Sequence, residues 1–296
     1  MSGRYSGLFL FACSAVVATL LKKKSSKAET KDDMSKSVKQ YDRHFIIIDR
    51  EPSQWEKRLE NEKNNAVAQL STMLSQASKD GIIGRHLITA GSMVHTLIDA
   101  GEEEMTSVLV YPEEVMFRIR AKGKGSDDMQ AFGKFIIDNS RKGSNAGSGP
   151  WSEESIAGSG FQTKKLPWRV LVLVCAHQKR DALCGRMGPK IISAIRKSLE
   201  SSGAAQQEEV QVMATSHIGG HKYAGTLIIY PRATWMGRIK AGGKGDNIQR
   251  VIEAAIHDLD LLSKRGDDGE AGCHCGDEMS GVDESCFRGN GHLLRW

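Results

Sequence analysis

Short apolar blocks recur along the chain in one order, twice over. His44–Ile48 (HFIII), Arg85–Ala90 and Thr106–Tyr111 (TSVLVY) carry the β-branched, apolar character of strands, as do Arg169–Val174 (RVLVLV), Val210–Ala214 and Thr226–Tyr230. Between the first blocks, Trp55, Leu59, Ala66, Leu70 and Leu74 fall near the helical period and predict a helix over Glu51–Ser75. The same period predicts helices over 127–140, Pro189–Leu199 and Asn247–Leu262. Strands alternating with helices predict an α/β fold.

The repetition extends to residue identity. VLVYPEEVMFRIRAKGKG at 108–125 aligns with LIIYPRATWMGRIKAGGKG at 227–245 after one extra residue near Trp235. Each copy has Tyr-Pro after a strand, then Arg118 or Arg238, then a Gly-Lys-Gly ending at 123–125 or 243–245. Internal duplication of one α/β unit is the reading. The Gly-Lys-Gly turns lack the Lys-Ser/Thr pair of a phosphate loop, so they predict turns. Residues 141–164, rich in Gly and Ser, are the expected linker between a first unit at 44–140 and a second at 165–262.

Both ends differ from this body. Gly7–Leu21 is uncharged, apolar and closed by Lys22, Lys23 and Lys24. As a helix it rises about 22 Å, short of the roughly 30 Å hydrocarbon core. A secretory segment is one reading. An anchor holding the body toward the cytosol, or a mitochondrial targeting segment, is favoured by the lysines, with a cytoplasmic protein as the alternative. The basic linker at 22–43 and Arg4 carry the whole net charge of +5, leaving 44–296 neutral. That is poor ground for a nucleic-acid groove. Residues 263–296 have no apolar period and are expected to be disordered, with Cys273, Cys275 and Cys286 as flexible surface thiols.

The chemistry concentrates in the second unit. No cysteine stands between Cys13 and Cys175, which argues against a secreted disulfide scaffold. Cys175 closes an apolar strand and Cys184 precedes a helix, while His217 and His221 flank Ile218-Gly219-Gly220. Two thiolates and two imidazoles suffice for one zinc ion or one two-iron cluster. A zinc finger spaces its cysteines by two to four residues, whereas eight lie between Cys175 and Cys184. The Cys-x-x-Cys of a thioredoxin dithiol is missing. Strand-end position sets Asp49 opposite Cys175, and counting back from Tyr-Pro sets Ile98 and Glu102 opposite the histidines, so the first unit lacks ligands.

The segments CAHQKRDALCGRMGP and SHIGGHKYAGTLIIYP resemble the sucrase/ferredoxin-like proteins, the group that includes the actin-patches-distal and altered-inheritance-of-mitochondria proteins. The resemblance is clear over 165–262 and weaker over 41–140. It implies two tandem thioredoxin-like units, the second holding a two-iron, two-sulfur cluster through Cys175, Cys184, His217 and His221. The implied role is one-electron transfer or redox sensing with a redox partner, in preference to catalysis on a substrate of its own; the alternative is a non-catalytic adaptor or scaffold with a structural zinc or redox dithiol site. This chain departs from the pattern in having Gln178 where Gly is usual, and PRATW where Gly commonly precedes Trp. No paired carboxylates support glycoside hydrolysis. The ending Leu294-Arg295-Trp296 is similar to the aromatic terminus by which some iron–sulfur proteins meet the cytosolic cluster-assembly machinery, with Arg in the middle position.

Overall fold

In a computed structural model, residues 38–62, 65–92, 105–120, 127–141, 149–202 and 208–267 are described. The apolar leader, Cys13, Ile98, Glu102, the first Gly-Lys-Gly, the tail cysteines and Trp296 lie outside the described residues.

The described chain is α/β. Its strands are β1 (Arg43–Ile48), β2 (His86–Ser92), β3 (Met105–Tyr111), β4 (Val115–Arg120), β5 (Gln162–Lys165), β6 (Val170–Cys175), β7 (Val210–Thr215), β8 (Leu227–Tyr230) and β9 (Thr234–Met236). Its helices are α1 (Ala66–Lys79), α2 (Asp127–Asn139), α3 (Glu153–Ala157), α4 (Ala182–Ser202) and α5 (Ile248–Asp267). All nine strands form one mixed sheet in the order β5-β4-β3-β1-β2-β7-β6-β8-β9.

That order carries the duplication. In the first half β1 pairs parallel with β2 and antiparallel with β3, which pairs with β4. In the second half β6 pairs parallel with β7 and antiparallel with β8, which pairs with β9. The β3–β4 and β8–β9 turns share a cis Tyr-Pro bond and a left-handed residue, Glu114 or Ala233. Register fixes the equivalences. His44 pairs with Tyr111 as Leu171 pairs with Tyr230, so Ile48, not Asp49, stands where Cys175 stands. Counting along an apolar run left that choice open by one residue.

Each half buries one sheet face under its helices. Phe45, Ile47, Val108 and Val110 meet Leu70, Leu74, Phe132 and Ile136. Val170, Val172, Val174 and Ile229 meet Ile191, Ile195, Val251 and Ala255. The opposite faces meet each other. The Tyr111 and Tyr230 rings stack at 4.1 Å, Tyr230 Oη lies 2.6 Å from His44 Nδ1, and Trp235 Nε1 donates to Tyr41 Oη at 3.1 Å. Burial on both sides explains why β6 is apolar throughout.

Two segments differ from the sequence expectation. Glu51–Ser75 is not one helix: Pro52–Gln54 and Leu59–Asn61 are short 3-10 turns, and α1 starts after Asn65, whose side chain accepts from the Val67 amide. Trp55 and Leu59 are apolar because the first core buries them. Part of 141–164 is built into the first half. Trp151 is buried against Phe135 with the Arg43 guanidinium over its ring, and β5 pairs with β4.

Candidate metal centre

The candidate ligands lie at the carboxyl ends of β6 and β7, where open α/β sheets place their sites. Cys175 ends β6 with its amide donating to Thr226 O at 3.0 Å. Cys184 sits in the first turn of α4, which begins earlier than the sequence pattern predicts. Asp181 caps that helix: its Oδ1 accepts from the Cys184 amide at 2.8 Å, and its carbonyl accepts from the Gly185 amide. Helix and strand end approach closely at Gly188, where a Cβ would stand 2.5 Å from Cys175 O and 2.8 Å from Ala176 Cα. Only glycine lets α4 bring Cys184 to Cys175.

Both cysteines are free thiols and buried. The Cys184 thiol, the His217 ring and the His177 backbone amide all hydrogen-bond to the Cys175 sulfur. The bond from Cys184, the strongest of these, outweighs burial and holds the Cys175 thiol well below its ordinary range. Cys184 is pushed up, first by that same bond and then by burial, with Asp181 adding to the effect.

His217 follows β7 and is half-buried, and its Nδ1 is buried without a hydrogen-bond partner. Gly219 (φ 102°) and Gly220 (φ 65°) then turn the chain through left-handed backbone that glycine adopts at low cost. The turn folds His221 back so that the two rings lie 5.6 Å apart at 34°. His221 is exposed at the surface. Cys184 and His217 thus meet Cys175, and His221 meets His217. Among the described residues no three or more His, Cys, Asp or Glu side chains form a group that could hold a metal ion.

Residues that the spacing argument did not assign hold these loops. His177 Nδ1 accepts from the His217 amide at 3.3 Å, and its Nε2 lies 2.8 Å from Glu56 O. The amide can only donate and the carbonyl only accept, so the proton sits on Nε2. Trp55 meets the His177 ring edge-on at 5.7 Å, and Lys179 pairs with Glu56 at 2.7 Å. The first half therefore covers the cysteine loop. His177 and Asp181 were visible in Cys-x-His-x-x-Arg-Asp-x-x-Cys, and the Asp-x-x spacing before a helix is a capping signal. No local signal marks Trp55. Gln178 fits because Gly185, facing it, has no Cβ to meet its side chain.

Residues 34–264 match the family model of the sucrase/ferredoxin-like proteins. The chain belongs to that family. Among curated members of the sucrase/ferredoxin-like group, it is similar to the altered inheritance of mitochondria protein 32 of Eremothecium gossypii, 28% identical over 65% of this chain and 64% of that protein. Its counterpart in Debaryomyces hansenii is 40% identical over 23% of this chain and 26% of its own length. That of Saccharomyces cerevisiae is 38% identical over 33% and 28%. The chain thus spans less than two thirds of the length of these relatives. No solved structure matches it. Among the described residues no helix is long and apolar enough to cross a membrane.

Proposed function

We propose that the chain is an iron–sulfur redox protein built of two thioredoxin-like halves, the second holding one two-iron, two-sulfur cluster through Cys175, Cys184, His217 and His221. The observation that carries this reading is the convergence of a buried thiol pair and an imidazole pair at adjacent strand ends. A dinuclear cluster takes two protein donors per metal, which suits two joined pairs better than a single-ion cage does. Two thiols and two imidazoles joined in this way are a donor set such a cluster takes.

When bound, such a cluster supplies one-electron transfer, at a potential above that of all-cysteine plant-type clusters because neutral imidazoles replace two thiolates. The residues present do the rest. Asp181 and Gly188 seat Cys184 beside Cys175, His177 ties the His217 backbone to the first half, and burial keeps water from the sulfurs. The exposed ring of His221 marks the face that a redox partner approaches. We extend the proposal to a mitochondrial or membrane-associated location, through residues 7–21, and to the cluster-assembly machinery meeting Trp296.

Protein purified without oxygen should contain two irons and two sulfides per chain, with electron resonance showing nitrogen coupling. Stoichiometric zinc without iron would overturn the reading. The contact between the two thiols supports a second reading, a redox dithiol. A disulfide-class oxidant would take two electrons while a Cys175–Cys184 sulfur bond forms and two protons leave. Iron-free protein whose two buried thiols vanish on oxidation and return on reduction would establish it.

A further inference from the structure

Beside the candidate centre, on the helix side of β2, lies a cleft of about 290 Å³ between α1, the turn at 57–60 and the His217 loop. His86 forms part of its wall. Both ring nitrogens of His86 are buried and without a hydrogen-bond partner. Phe45 meets the ring edge-on at 5.5 Å and fixes its plane. Natural interiors almost always satisfy such atoms, so two on one ring point to a missing occupant. Burial, and then the charge of Arg43, push the His86 pKa down to about 3, so the ring is neutral. A neutral imidazole offers one N–H donor and one bare acceptor.

The rest of the lining supplies charge. Lys57, Arg85 and Arg180 face the cleft against a single carboxylate, Glu60. Residues 44–296 sum to zero charge, so this is a local concentration of positive charge on a neutral body. Arg85 is held in place by donating to the carbonyls of Lys39 and Gln40. Ser71 and Ser75 of α1 add hydroxyls, and Leu59 and Val67 add apolar wall.

We propose that this cleft binds a phosphoryl group, held by Arg180, Lys57 and Arg85 and hydrogen-bonded to His86. The excess of cations suits a doubly charged anion. The bare nitrogen of His86 asks for a ligand that also donates, as the P–OH of hydrogen phosphate or a hydroxyl of a phosphate monoester does. The volume exceeds that of free phosphate and leaves room for a small organic part. His217 lines the same cleft, so an occupant would lie next to the candidate centre without depending on what that centre holds.

The test is a titration of the full chain with inorganic phosphate, read from the ¹⁵N signals of the histidine rings. It needs no iron, so it stands apart from the cluster reading. The His86 signals should move and saturate, and Arg180→Gln should weaken binding about tenfold without changing thermal stability. Sulfate, which has no O–H, should bind more weakly than phosphate. Glycerol phosphate binding more tightly than phosphate would assign a phosphate monoester, and equal or weaker binding would assign the free ion. His86 signals unmoved up to roughly 20 mM phosphate would overturn the proposal. So would wild-type affinity in both Arg180→Gln and Lys57→Gln, or sulfate binding as tightly as phosphate.

Discussion

Gly91 of β2 pairs antiparallel with Thr215 of β7, and the two are equivalent positions of the repeat. Gly91 is the parallel partner of Ile48, and Thr215 is the parallel partner of Cys175. A pair of equivalent residues that face each other lies on a pseudo-twofold axis. Ser216 donates its amide to Ala90 O on the same seam, and its hydroxyl accepts from the Ala90 amide. The halves are thus joined at the strand ends that carry the candidate centre. The first copy completes the sheet and covers the cysteine loop.

The seam is tightly filled. A Cβ on Gly91 would stand 2.6 Å from Met213 Cε and 2.7 Å from Ile46 Cγ2. Gly91→Val overfills this junction and should cost about 1–3 kcal/mol. That lowers Tm by several degrees in a unit of this size, roughly 2–4 °C per kcal/mol. Thermal unfolding followed by circular dichroism measures it, and an unchanged Tm would show that the halves part more freely than this contact implies.

Gly188 is filled as tightly, beside the candidate ligands. Gly188→Ala must push α4 away from Cys175 O and the Ala176 backbone, carrying Cys184 with it. Helix propensity alone would favour Ala by roughly 1 kcal/mol, so any destabilisation reads the clash. We expect a net loss of about 1–2 kcal/mol and faster release of bound iron to a chelator. A variant more stable than wild type, with unchanged release, would mean that the helix shifts without moving Cys184.

Much of this arrangement could be read from the sequence. RVLVLVC, VMAT and TLIIYP are strands because apolar runs closed by turn residues have few alternatives, and the repeated Tyr-Pro marked the duplication. The four candidate ligand positions needed only residue type and strand-end placement. What failed was nonlocal. Trp55 and Leu59 carry a helical spacing, yet tertiary burial decides their conformation, and Pro52 starts only a short turn. β5 is four exposed polar residues, a strand only because β4 offers an edge. The seam at Gly91 and Thr215 leaves no mark in either neighbourhood, since β2 reads the same whether its edge is paired or free.

Buried histidines make stability depend on pH. His44 lies fully inside, its Nδ1 2.6 Å from Tyr230 Oη and its Nε2 2.8 Å from Thr89 Oγ1, and burial pushes its pKa down to about 3. The unfolded value is near 6.5, so below it the unfolded chain takes a proton that the folded ring refuses. The contribution is complete above about pH 6.5 and is lost as pH falls toward 3, at about 1 kcal/mol per pH unit. His86 behaves alike. Urea midpoints at pH 7, 6 and 5 should fall progressively. His44→Gln should start lower but lose about half of the histidine slope, and an undiminished slope would place the proton uptake elsewhere.

His177 tests whether loop positioning matters apart from ligation. Its side chain joins the His217 amide to Glu56 O, while its backbone amide reaches the Cys175 sulfur. His177→Phe keeps a ring against Trp55 and keeps that backbone donor, but leaves the His217 amide and the Glu56 carbonyl without partners. Unpaired buried backbone groups cost about 1–3 kcal/mol each, softened here because Glu56 is an exposed residue. All four proposed ligands remain, so iron should still load. The His217 loop would no longer be tied to the first half, and loaded metal should leave several-fold faster. His177→Gln, which can donate to the Glu56 carbonyl through its amide, should recover part of the retention. Equal release rates in wild type and His177→Phe would show that the Gly219–Gly220 turn alone sets the position of the histidines.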